Sequence, residues 1–167
     1  MMTTHYYELT ASQKVAPQAR PSQSIAEVLT TYQEMFENLD PHTMAQHFSE
    51  VFAPQVYFKD PFNEIKGRAK LVGLFEHMFT TLHEPMFRIH HKAGSGNTGY
   101  LEWRFYFKLK PNQPVKQING MSKIVIDEQG WVIVHIDYWD SGEYVYHQVP
   151  VVGALTRWVA KKLRAPL

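Results

Sequence analysis

Between Leu101 and Lys110 the chain alternates without a break. Leu101, Trp103, Phe105, Phe107 and Leu109 fall on one side, and Glu102, Arg104, Tyr106, Lys108 and Lys110 on the other. A period of two belongs to extended backbone, and one apolar and one polar face describe an antiparallel strand with a single buried side. Such a strand needs a second layer over its apolar face. The segments before it supply helices, and the segments after it supply more strands.

Ser24-Ile25-Ala26-Glu27 is a capping box, and Ile25, Val28, Leu29, Tyr32, Phe36 and Leu39 follow at spacings of three and four. Asp40-Pro41 reads as an N-cap with proline at the first helical position, opening a second helix with Met44, Phe48, Val51 and Phe52 that Pro54 closes. Val56 to Phe62 reads as a strand ending at Asp60-Pro61, and Gly67 to about Leu82 as a third amphipathic helix stopped by Pro85. From Met86 the period becomes two. Gly94-Ser95-Gly96-Asn97, Pro111-Asn112-Gln113-Pro114 and Asp127-Glu128-Gln129-Gly130 mark turns between four strands, the last spanning Trp131 to Trp139. The order ααβαββββ places three helices on one face of a curved antiparallel sheet, an α+β arrangement with a cavity at the open end. Residues 1 to 22 show no sustained apolar period and read as a flexible leader, residues 23–148 as the folded domain, and 149–167 as an extension.

Composition limits the function classes. At 167 residues and 44% hydrophobic content, one domain with a full core is expected, and the 14% share of aromatics fits a lined apolar cavity. Seventeen basic residues against sixteen acidic ones leave no footprint for nucleic acid. The absence of cysteine excludes disulfides and thiolate metal sites and fits the cytoplasm. None of the nine histidines has a metal-ligand spacing backed by carboxylates on one face, so neither metal nor cofactor is expected. No apolar run reaches the roughly 20 residues that a spanning helix needs.

The residues in Tyr32, Phe58-Lys59-Asp60-Pro61 with Gly67-Arg68, Asp127-Glu128-Gln129-Gly130 and Tyr138-Trp139 resemble the NTF2-like cone fold, and within it the SnoaL-like and ketosteroid-isomerase-like proteins. The resemblance runs from about Ile25 to Glu143. It implies a cone-shaped α+β domain, a pocket for a small polyketide-, steroid- or lipid-like molecule, cofactor-free proton transfer and homodimers paired through the outer sheet face, where Tyr106 lies between Arg104 and Lys108. It places Asp60 where isomerase-like members keep the carboxylate that moves a proton on carbon next to a carbonyl. Tyr32 stands where they keep a phenol that donates to the developing oxyanion. Where they place a second, protonated acid, this chain has Ser122. There is no Arg-x-Asp of the limonene-epoxide-hydrolase kind on a strand facing the pocket.

Each candidate has a structural alternative. Asp60 before a proline also suits an Asx turn, and Tyr32 on an apolar helix face also suits the core. His135, Asp137 and Trp139 share one face of the last strand, and in the isomerase register that face lines the pocket, giving a His/Asp acid/base pair. The opposite face, Val132, Val134 and Ile136, is the more uniformly apolar, so a one-residue slip would reverse the assignment. Trp103, Phe105, Trp139 and Phe62 are the expected apolar ligand contacts. The C-terminal segment reads as a basic amphipathic helix: Val151, Val152, Leu155, Trp158, Val159 and Leu163 against Arg157, Lys161, Lys162 and Arg164. Such a helix packs on its own domain or partner, or rests on an anionic membrane through residues 150–164. An enzyme, a non-catalytic binding or adaptor module and a membrane-peripheral accessory protein are all compatible with this pattern.

Overall fold

A computed structural model describes residues 22–163. The expected leader, apart from Ser22, and Arg164 of the basic helix lie outside the described residues. In chain order the elements are α1 (Ile25–Glu37), α2 (Met44–Val51), β1 (Phe52–Lys59), β2 (Glu64–Lys66), α3 (Arg68–Thr81), β3 (His83–Ser95), β4 (Thr98–Lys108), β5 (Lys116–Ile126), β6 (Val132–Trp139), α4 (Ser141–Tyr144) and α5 (Pro150–Leu163), with a 3-10 turn at Tyr146–Gln148 between the last two.

The capping box forms as read: Ser24 N–H donates to Glu27 Oε2 at 2.8 Å, and Glu27 N–H returns the bond to Ser24 Oγ. The second helix begins later than Asp40-Pro41 implied. Asp40 Oδ1 accepts from His42 N–H at 2.7 Å in a preceding turn, and the helix opens at Met44 without a side-chain cap. Pro54 does not terminate that helix. It lies inside β1, where the ladder to β6 is irregular between Phe52 and Tyr57, a place where a missing N–H costs least. Gly67 precedes α3 at φ 103°, a left-handed conformation natural to glycine, while its N–H donates to Val56 O at 2.8 Å. Arg68 Nη1 then donates to Ser49 O and Phe52 O, binding the start of α3 to the junction of α2 and β1.

The sheet is six-stranded in the order β2-β1-β6-β5-β4-β3. Its ladders are antiparallel except for β1 with β6, which run parallel, so the sheet is mixed. Irregularities in the β3–β4 pairing at His83/Met86 and Ile89/His91 mark points at which a sheet curls. The concave face and the helices enclose a core of Leu29, Tyr32, Phe36, Phe48, Phe52, Phe58, Leu71 and Ile124, among others. Gly99 lies where α1 comes closest: a Cβ there would stand 2.8 Å from Leu29 Cδ1.

A register slip settles which side of β6 faces inward. Ile126 pairs with Val132 but Val125 pairs with Val134, so one extra residue, Ile133, lies between them. The bulge changes parity: Val132 belongs to the core, and beyond it the odd-numbered His135, Asp137 and Trp139 take over the inner face. Three inner rungs follow from the register. Phe58, His135, Ile124 and Gly99 form one, Asp137, Ser122 and Leu101 the next, and Trp139, Gly120 and Trp103 the third.

Candidate functional site

The third rung and α3 bound a cavity of about 230 Å³, walled by Phe58, Leu74, Phe75, Met78, Leu82, Phe87, Trp103, Phe105, Ile118 and Trp139. Its polar contributors are Asp60, Asn63, His77 and Asp137. Asp60 and Asp137 also line a more open cleft of about 470 Å³ with Lys59, Pro61, Ile136, Tyr138 and Trp139. The parallel register ends at Lys59 opposite Ile136, so carrying it one residue further sets Asp60 beside Asp137 on adjacent strands.

Behind Asp137 lies a buried polar line. His135 Nε2 is 2.7 Å from Asp137 Oδ1, and His135 Nδ1 is 2.6 Å from the Tyr32 hydroxyl. The carboxylate only accepts, which places the imidazole proton on Nε2 and leaves Nδ1 to accept from the phenol. From the other side Trp103 Nε1–H donates to Ser122 Oγ at 2.8 Å, and Ser122 Oγ donates to Asp137 Oδ1 at 2.5 Å. Both arms therefore run toward one oxygen of one carboxylate. Each donor in such a chain is polarised by the one behind it, and the charge at Oδ1 is spread over two bonds. Asp137 Oδ2 receives no hydrogen bond from the described residues.

The surroundings fix this line in place. Tyr32, His135 and Ser122 are almost wholly buried, while the Asp137 side chain keeps 17% exposure at the cavity wall. Phe58 meets the imidazole edge-on, with centroids 4.8 Å apart, and Tyr32 stacks on Phe36 at 4.6 Å. Burial first, and then the negative Asp137 nearby, push the Tyr32 phenol well above its ordinary value near 10. Tyr32 stays a neutral donor throughout the physiological range.

Asp60 is held by its own turn. Oδ1 accepts from Phe62 N–H at 2.7 Å and Asn63 N–H at 2.6 Å, and the Asn63 amide lies 2.9 Å from Oδ2. Asp60 thus closes an Asx turn and also borders the cavity. Trp103, Phe105 and Trp139 line the cavity. Ser122 does not; it lies behind, beside a void of about 20 Å³ that Tyr32 and His135 also border. Phe62 does not line the cavity either; it is half exposed and packs edge-on against Trp139 of the wall, with centroids 5.2 Å apart. Asn63, His77 and Ile118 were not singled out by sequence reasoning. His77 falls between Leu74 and Met78 of the α3 stripe, and Ile118 pairs with Phe105, which is the signal that registers it once β5 is aligned. Among the described residues no group of three or more His, Asp or Glu side chains is arranged to hold a metal ion.

The fold is similar to several solved structures. A protein with a ketosteroid isomerase-like fold from Catenulispora acidiphila, in complex with trimethylamine, superposes with a TM-score of 0.61 at 13% identity, covering 76% of this chain and 95% of that one. An NTF2-like protein of unknown function from Exiguobacterium gives 0.58 at 16% identity over 68% and 98% of the two chains. An LEH-like epoxide hydrolase from Mycobacterium tuberculosis gives 0.58 at 15% identity over 84% and 94%. No curated protein matches the chain in sequence. The model of the SnoaL-like domain, however, matches residues 25–140, from the start of α1 to the end of β6, and the chain therefore belongs to the SnoaL-like domain family.

Proposed function

We propose that residues 23–148 bind a small hydrophobic molecule of polyketide, steroid or lipid type in the 230 Å³ cavity and move a proton on it without a cofactor. The observation that carries this reading is the convergence of both hydrogen-bonded arms on Asp137 Oδ1, while Oδ2 takes no hydrogen bond from the described residues on a largely apolar wall. In this scheme Asp137 Oδ2 takes a proton from carbon next to a carbonyl, and the electron pair moves into the carbonyl to give an enolate. The protonated carboxyl exchanges its proton with solvent and delivers one to the same or a conjugated carbon. His135 and Tyr32 act behind Asp137 as positioning residues, and so does Ser122. Asp60, the neighbouring carboxylate on the same wall, is the second acid/base group. The Tyr32 phenol reaches the ligand only through His135 and Asp137, a role different from the direct oxyanion contact that family resemblance implies.

The test is deuterium uptake. The ligand recovered from the protein, returned to it in D2O, gains deuterium at carbon with the wild type, and Asp137→Asn lowers the rate by two or more orders of magnitude. Asp60→Asn separates the roles: a comparable loss makes Asp60 the principal base, and a small one makes it the partner. Equal exchange in wild type and Asp137→Asn refutes the catalytic reading.

A non-catalytic binding module is the second reading. It is favoured by one observation: among the described residues every buried side-chain nitrogen and oxygen already has a partner. Saturable binding without exchange would identify it. Tyr100, Met121 and Tyr138 are exposed on the outer face of the sheet, and Met121 pairs with Tyr138, which supports a homodimer through that face. A cytoplasmic setting fits a chain without cysteine.

A further inference from the structure

α5 is mounted with its apolar side outward. Gly153 is buried, Thr156 and Ala160 are half-buried, and Arg157 Nη1 donates to His147 O at 2.6 Å, so the narrow small-residue side rests on the 3-10 turn. A Cβ at Gly153 would lie within bonding-clash distance of His147 O, which makes this seat specific to glycine. The opposite arc carries Val151 at 82% exposure, Leu155 at 61% and Trp158 at 54%, and Leu163 at the helix end is 81% exposed. An apolar stripe of this size left bare on a helix calls for a partner.

We propose that α5 lays the protein on the surface of an anionic lipid bilayer. Charge identifies the partner. From Tyr144 to Leu163 there is no acidic residue, while Arg157, Lys161 and Lys162 are all exposed, in a chain whose net charge is only +1. On a helical wheel Lys162 falls within the apolar arc, and its ammonium stands 4.2 Å over the Trp158 ring. A second copy of the helix would bring like charges together there. At a bilayer the same lysine extends its stem along the acyl boundary and its ammonium into anionic headgroups, with Trp158 at the interfacial depth that indoles favour. Fourteen residues rise roughly 21 Å, too short to cross the hydrocarbon core but suited to lying along it.

The mounting also ties α5 to the wall of the cavity. Asn119 Nδ2 donates to Tyr144 Oη at 3.0 Å and Lys116 Nζ to Gln148 Oε1 at 2.5 Å, fastening the seat of α5 to β5. Tyr146 meets Phe62 edge-on at 6.2 Å, and Phe62 packs on Trp139 of the cavity wall. A bilayer under α5 is thus joined to the cavity wall through Tyr146, Phe62 and Trp139.

The experiment is co-sedimentation of the full chain with phosphatidylcholine–phosphatidylserine vesicles and with phosphatidylcholine alone, beside sedimentation equilibrium without lipid. The wild type pellets with the anionic vesicles only and is released by salt. Lys161→Gln with Lys162→Gln lowers partitioning about 30-fold, at roughly fivefold per cation near the surface. Leu155→Glu, on the exposed arc, removes binding while the circular dichroism of the domain stays unchanged. A wild type that stays in the supernatant overturns the proposal, as does vesicle binding that neither variant weakens. So does a wild-type dimer that Leu155→Glu converts to monomer without change in vesicle binding, since α5 would then be covered by a second copy.

Discussion

Replacing Tyr32 by Phe removes one oxygen from the inner end of the polar line and leaves the ring stacked on Phe36. The lost hydroxyl is the donor to His135 Nδ1, 2.6 Å away, in a site where both residues are 2% exposed. The change removes the net value of the bond and leaves a buried acceptor unpaired, about 2 kcal/mol in all. A second effect runs the other way with pH. The phenol is held protonated well above 10 in the folded chain by burial and by Asp137, whereas in the unfolded chain it ionises near 10. A folded value raised above the unfolded one gives stability that is full below pH 10 and falls as the pH rises beyond it, by about 1.4 kcal/mol per unit. Tyr32→Phe lacks this loss, and the other tyrosines are common to both proteins. Equilibrium urea unfolding at pH 7 is therefore expected to show the variant about 2 kcal/mol less stable, and at pH 11 the gap is expected to narrow by about 1.4 kcal/mol. A gap below about 0.5 kcal/mol at pH 7 would show that the bond contributes nothing net. A gap unchanged between the two pH values would falsify the account of the buried phenol.

Two further outcomes follow from the register. Gly120 lies beneath the Trp103 indole, and a Cβ there would stand 2.4 Å from two ring carbons that Ser122 holds in place through Nε1. Gly120→Ala is expected to cost about 1–3 kcal/mol and to alter the near-ultraviolet circular dichroism of Trp103, and a variant with wild-type stability and spectrum refutes the packing described. Tyr138→Glu places a charge on the exposed outer face opposite Met121. Sedimentation velocity is expected to show a dimer converted to monomer, and a wild type already monomeric removes that face as an interface.

The local chemistry of several segments is legible in the sequence alone. Ser24 and Glu27 cap α1 as their spacing requires, and the alternation that starts at Leu101 puts Leu101, Trp103, Phe105 and Phe107 inside, whereas Leu109 falls beyond the end of β4 and is exposed. Asp60 was legible as a turn residue because Pro61 fixes extended backbone before it, and as a rim residue because a helix starts soon after. The inner face of β6 was not legible. Counting by two links Val132 with Val134 and sets His135 apart, but the extra residue at Ile133 joins Val132 and His135 on one face. A bulge is a two-strand property and leaves no mark in one strand's pattern. β2 was missed because three residues, Glu64–Lys66, are too few to show a period, and the parallel β1–β6 pairing because neighbours far apart in sequence carry no turn signal. The convergence on Asp137 was half legible. His135 and Asp137 are two apart on one strand, whereas Ser122 and Trp103 join them only through the ladders of β4, β5 and β6.

On the proposed function, the cavity beside Asp137 holds an apolar ligand. The most direct measurement is native mass spectrometry of the gently purified chain beside Leu74→Trp, in which the larger ring occupies the space that Leu74 now borders. A discrete apolar adduct on the wild type, absent from the variant and recovered by organic extraction, is the predicted result. An adduct carried equally by both proteins, or a wild type that neither retains nor takes up any hydrophobic molecule, contradicts it.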